Sequence, residues 1–244
     1  MTKCLFICFG LALMLINLST QSANLILGVE KLDYLPFYTS KNGQYHGYAR
    51  ELFDQFAKDN HHHISYKILP VARLFHELIN GKIDLKFPDN PNWKKKEKQQ
   101  YKINYSSAIV QFTDGIMVKP EFLHKNVNYF YQIGTMRGFT PWTLQNSINQ
   151  KTIRITEHNS LSGLLQQVIL QRVKGCYINI DVAEYFLDKH LNQPGVLVFK
   201  SDLPHDKSSY YLSSIKKTDI LKQFNSWLDN NTAFHQQLKK KWGL

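Results

Sequence analysis

Apolar positions along this chain switch between helix and strand periods. Val71, Leu74, Phe75, Leu78 and Ile79 recur at steps of three and four, which makes one stripe of a helix. Gly81 follows as a stop, since a left-handed residue after a helix costs glycine little. Residues 83–87 (IDLKF) are short and bounded by breakers, so they predict a strand. The polar loop Pro88-Asp89-Asn90-Pro91-Asn92-Trp93 leaves the carboxyl end of that strand, the edge at which open α/β sheets bind ligands. Before it, residues 25–29 predict a buried strand and Asn42-Gly43 a tight turn. Leu52, Phe53, Phe56 and Ala57 mark a helix face, and 64–69 alternates as a second strand.

The second part of the chain repeats this alternation. Strands are predicted over 131–135, 153–156, 176–181 and 196–199. Ser160 opens a helix carrying Leu161, Leu164, Leu165, Val168, Ile169 and Val173, with Gly175 as its end. Asp181 reads as the N-cap of a helix over 182–187. A strand over 210–213 precedes a helix that Asp219 is expected to cap, with Ile220, Leu221, Phe224, Trp227 and Leu228 on one side. Asn230-Asn231 breaks it, and Phe234, Leu238 and Trp242 line up a last helix.

The amino terminus adds a compartment. Lys3 precedes an apolar run from Cys4 to Leu18 and then Ser19-Thr20-Gln21-Ser22-Ala23, the three regions of a secretory signal. Cleavage is expected near Ser22/Ala23, and the run is shorter than the ~20 residues that span a bilayer. The exported chain keeps only Cys176, so no internal disulfide is expected. At 244 residues the chain makes one domain or two small lobes and needs no staples. The formal charge is +11, or +10 once Lys3 is gone. An exported protein rarely meets nucleic acid, so no nucleic-acid partner is expected, and the runs Lys94–Lys96 and Lys239–Lys241 read as solvated faces. His61 to His63 are adjacent and cannot converge on one metal, so they read as a polar turn; neither a metal nor another cofactor is expected.

The motifs, weak one by one, come in a telling order. Gly81-Lys82-Ile83-Asp84 follows an amphipathic helix, Tyr105-Ser106 comes about twenty residues later, and Asp114-Gly115-Ile116-Met117-Val118 next. Tyr34-Leu35-Pro36-Phe37, Pro70-Val71-Ala72-Arg73 and the final Leu238-x-x-Lys241-Trp242 complete the set. This order resembles family 3 of the bacterial extracellular solute-binding proteins, periplasmic receptors mostly for amino acids that are associated with ABC transporters.

The resemblance implies an α/β, two-lobed periplasmic binding protein fold of type II. Each lobe is then a mostly parallel sheet flanked by helices, and two hinge strands join them. Residues 1–23 are the signal peptide, 24–116 the first part of lobe one, 117–205 lobe two, and 206–244 the return to lobe one with the C-terminal helices. Tyr34 is expected to stack on the ligand. Arg73 at the pocket rim and Arg137 in the turn with Gly138 and Thr140 are expected to hold a carboxylate, through guanidinium bonds and backbone N–H groups. Asp181 matches the aspartate that pairs with a ligand's ammonium. The loop after the third strand departs from the family pattern: small hydroxyl residues and an arginine are replaced by Asp89, Trp93 and lysines. Asp89 and Trp93 suit a cationic or amine-bearing ligand, although Asp89 also reads as turn chemistry.

The expectation is therefore a periplasmic monomer, not an enzyme, that captures a small amino acid or related amine or carboxylate by hinge closure for an inner-membrane permease. A sensory module that signals to a membrane partner is an alternative. A cyclohexadienyl-dehydratase-like enzyme is another, with Glu157 and Glu184 of lobe two as candidates for the general acid, neither inside a motif. No Gly-x-Ser-x-Gly nucleophile motif occurs.

Overall fold

The computed structural model describes residues 22–244. The expected signal, with Cys4 and Cys8, lies outside the described residues up to Gln21. Among the described residues, no helix is long and apolar enough to cross a membrane.

Strand β1 (Asn24–Glu30) pairs in parallel with β2 (His63–Leu69) on one side and β3 (Leu85–Asp89) on the other. Parallel neighbours need crossovers, and helices α1 (Tyr48–Asp59) and α2 (Val71–Ile79) supply them. Leu52, Phe53, Phe56 and Ala57 of α1 are buried as their spacing predicts, and so are Leu74, Phe75 and Leu78 of α2. Asn80 ends α2, and Gly81 follows with φ +67°, the left-handed conformation expected there.

A long strand, β4 (Val110–Val118), then carries the chain onward. Strands β5 (Gln132–Met136) and β6 (Arg154–His158), helix α3 (Leu161–Ile169), β7 (Gly175–Asn179) and α4 (Ile180–Lys189) follow. Strand β8 (Asp206–Ser214) returns, and α5 (Thr218–Asn230) and α6 (Thr232–Trp242) end the chain. The strands form one curled mixed sheet in the order β2-β1-β3-β8-β4-β7-β5-β6. Its centre is the antiparallel pair β4–β8, running from Val110↔Tyr210 to Asp114↔Asp206. These two strands are the connections between the lobes of a type II periplasmic binding protein fold. On the far side, Asn179 of β7 pairs with Asp114, so Asn179, Asp114 and Asp206 stand in one row across three strands.

Four local expectations change. The third helix stops at Ile169 because the chain turns at Gln171 (φ +56°), and Val173 is buried from the turn instead. Asn179, not Asp181, caps α4, with its side-chain oxygen accepting from Val182 N at 3.0 Å. Asp219 sits in the first turn of α5, where its charge suits the helix dipole, and makes no cap bond. The strand predicted over 196–199 pairs only at Val198 and Phe199. The histidine turn has a structural use: His62 accepts from Ala23 N at 3.2 Å and bonds Gln223 at 2.8 Å, which ties the residue before β1 to α5.

Candidate functional site

The loops at the carboxyl ends of β1 and β3 face the turn after β5, and a narrow cavity of about 50 Å³ lies between them. Glu30, Tyr34 and Tyr38 come from the end of β1 and the turn after it, and Lys86, Asp89 and Trp93 from β3 and its loop. Gly138, Phe139 and Thr140 stand opposite, and Asp114, Tyr177 and Tyr210 form the back wall. The two halves touch. Phe139 packs edge-on against Tyr34 at 5.6 Å, and a Cβ on Gly138 would lie 2.9 Å from Ala72 N at the start of α2. Gly138 also has φ +88°, so both its backbone and its neighbour require glycine.

The wall is aromatic and charged together. Tyr34 stacks on Tyr38 at 5.3 Å, Tyr38 on Tyr45 at 5.8 Å and Tyr45 on Tyr66 at 5.4 Å, a row that leads away from the cavity. Tyr210 stacks on Phe112 at 4.4 Å and meets Trp93 edge-on at 5.9 Å.

Asp89 is fully buried and fully partnered. Lys98 Nζ lies 2.6 Å and Lys86 Nζ 2.9 Å from its Oδ1, and Ser213 Oγ donates to its Oδ2 at 2.6 Å. Burial opposes its ionisation, but the two ammonium groups outweigh burial and hold the carboxyl below its usual range. Burial pulls Lys98 down to about 8, against the attraction of Asp89. Glu30 accepts from the Tyr38 hydroxyl, and burial pushes its carboxyl up to about 7. Asp114 is only 7% exposed, and its Oδ1 has no hydrogen-bond partner among the described residues. Burial, then the charges of Asp206 and Glu30, push Asp114 well above the usual carboxylate range. Asp206 itself accepts from Trp142 Nε1 at 2.7 Å.

Of the eight expected site residues, Tyr34, Asp89, Trp93, Gly138 and Thr140 meet around this cavity. Arg73, Arg137 and Asp181 do not. Arg73 is exposed on α2, and Arg137 points to solvent with its Nε 3.6 Å from Glu157. Asp181 lies two residues past the end of β7 and is exposed in the first turn of α4, so its side chain lines outer grooves. Two expected roles change with this geometry: neither arginine reaches the cavity to hold a carboxylate, and Asp89 already has its own cations. Glu157 and Glu184, the glutamates of the dehydratase alternative, also lie outside the wall.

Glu30, Lys86, Lys98 and Asp114 are wall residues that pattern reasoning passes over. Two of them carry a signal in the sequence: Lys86 stands between Leu85 and Phe87, and Asp114 just before Gly115-Ile116-Met117-Val118, and a charge buried in such a run must be paired or functional.

Residues 25–244 match the bacterial extracellular solute-binding proteins, family 3, and the chain belongs to that family. Among solved structures it is similar to a mutant of ArgBP from T. maritima, at 18% identity and TM-score 0.71, covering 90% of this chain and 94% of that one. An ABC uptake transporter substrate binding protein from Streptococcus pneumoniae with bound histidine is similar at 16% identity and TM-score 0.72, over 90% and 92% of the two chains. An ancestral amino acid-binding protein, described as a precursor of cyclohexadienyl dehydratase, aligns at 20% identity and TM-score 0.68, over 90% and 95%. No curated protein matches the chain in sequence.

Proposed function

We propose that this protein is a periplasmic solute receptor that captures a small polar ligand, an amino acid or a related amine or carboxylate, by closing two lobes over it. Residues 24–116 and 206–244 make lobe one and 117–205 lobe two, with β4 and β8 as the hinge. The observation that carries the reading is the shared wall: Tyr34 and the start of α2 on one side meet Phe139 and Gly138 on the other, around a buried, charged, aromatic cavity. Such a cavity exists only while the halves are together, so a ligand that touches both favours the closed state by its differential affinity. The receptor is exported through an N-terminal signal cleaved near Ser22/Ala23, acts as a monomer and passes its ligand to an ABC-type permease.

Titration calorimetry of the mature chain with amino acids, amines and small carboxylates, joined to small-angle scattering, tests this. A binder that lowers the radius of gyration supports the reading. A chain that binds a solute with no change in dimensions refutes hinge capture.

A further inference from the structure

We propose that the cavity takes a primary amine on an apolar or aromatic stem, without a carboxylate, and that Asp114 on the hinge strand is the residue that pairs with its ammonium. The proposal deepens the receptor reading and rests on it.

The argument is a census of unsatisfied charge. A carboxylate needs a free cation or free N–H groups; the cavity offers the N–H and hydroxyl of Thr140 but, among the described residues, no cation without an oxygen partner. Lys98 Nζ bonds Asp89 at 2.6 Å and Asn90 O at 2.7 Å. Lys86 Nζ bonds Asp89 at 2.9 Å and Pro88 O at 2.8 Å. Lys94, at the mouth, lies 3.3 Å from Glu97. In the turn expected to bind an anion, Gly138 N already donates to Glu157 Oε1 at 3.3 Å and Phe139 N to Met136 O at 3.1 Å. Arg73 and Arg137 stand outside the wall.

The acids are the reverse case. Asp114 Oδ1 is buried without a partner and its residue lines the cavity. Its neighbours in the strand row have other partners: Asn179 bonds Val182 N and the Tyr210 hydroxyl, and Asp206 bonds Trp142. Glu30 holds only the Tyr38 hydroxyl. A buried polar atom left unpaired in a closed cleft is costly until a donor arrives. An ammonium is that donor, and the faces of Tyr34, Trp93 and Tyr210 suit both its charge and its stem.

The pairing also moves a proton. Asp114 faces Glu30 from β1, Asp206 from β8 and Asp181 from α4, together with the phenols of Tyr34, Tyr177 and Tyr210. Burial and these acids favour its neutral form when no cation is present. Binding of R–NH3⁺ reverses that preference: a protonated Asp114 gives its O–H proton to solvent as the carboxylate pairs with the ammonium.

The test is calorimetry of the mature chain at pH 7, in phosphate and in HEPES, neither of which is a primary amine, with three matched pairs: tyramine and tyrosine, agmatine and arginine, putrescine and ornithine. In at least one pair the amine is expected to bind tenfold or more tighter than its amino acid, with a heat that differs between buffers by about one proton released. Asp114→Asn is expected to lose at least tenfold in amine affinity and to remove the buffer dependence. Its melting temperature should equal or exceed that of the wild type, since an unpartnered acid is gone. If the amino acid is the tighter binder in each pair, the amine assignment falls and the receptor reading stands. If Asp114→Asn binds amines as the wild type does, the role of Asp114 falls. If none of the six compounds and no other amino acid binds, both readings fall.

Discussion

Gly138→Ala separates the closing of the cleft from the stability of the fold. The added methyl meets two penalties. The first is local: at φ +88° an L-residue is strained by about 1 kcal/mol or somewhat more, whether the lobes are open or closed. The second exists only when they are together, because the new Cβ would sit 2.9 Å from Ala72 N and 3.2 Å from Val71 Cβ. Backbone at the start of α2 cannot step aside as a flexible side chain can. Overpacking of this kind costs about 1–3 kcal/mol. Only the second penalty enters the equilibrium between open and closed forms, so ligand affinity should fall roughly 5- to 150-fold. The melting temperature should fall modestly from the first penalty alone. Calorimetric titration of wild type and variant with the same ligand measures the affinity change, and scattering should find the variant more extended at equal ligand concentration. Unchanged affinity with a lowered melting temperature would mean that the turn and α2 do not meet in the bound state.

Three further outcomes follow from the buried charges and from the Cys176 thiol. Asp89→Asn leaves Lys86 and Lys98 buried without their counter-charge and should cost about 3–5 kcal/mol in urea unfolding; a loss below 1 kcal/mol contradicts the described network. The Glu30 carboxyl, raised from 4.5 to about 7, binds a proton in the native state over a range where the unfolded chain has released it. Stability should therefore fall as pH rises from about 4.5 to 7 and level off above, by up to about 3 kcal/mol, and Glu30→Gln should flatten that slope. The Cys176 thiol is fully buried and pushed up to about 12, so a disulfide reagent at pH 8 should label it only after denaturant is added.

Much of the architecture was legible because periodicity and burial agree. The α1 and α2 stripes and the glycine stop at Gly81 follow from side-chain geometry that any folded context preserves. Element ends were less legible. Asp181 reads as the cap, but the helix starts two residues earlier than its pattern suggests, and Asn179 takes that place. The cavity was half legible. Tyr34, Trp93, Gly138 and Thr140 belong to loops whose position at strand ends is set by the fold. Arg73 and Arg137 also sit at strand ends, but their long side chains leave along solvent, a direction that loop position does not determine. The pairing of Lys86 and Lys98 with Asp89, three and nine residues away, is not legible in the sequence, because it is a property of the folded strand and its loop.

The tyrosine row that starts at the cavity gives the molecule an optical consequence. Four phenol rings in near contact, from Tyr34 through Tyr38 and Tyr45 to Tyr66, share excitation, and Trp93 in the wall with Tyr210 beside it can collect the energy. A ligand lodged against Tyr34 changes the first ring and the acceptor together. Intrinsic emission is therefore expected to respond to occupancy of the cleft without any dye, as a change over the constant signal of Trp142, Trp227, Trp242 and the remaining tyrosines.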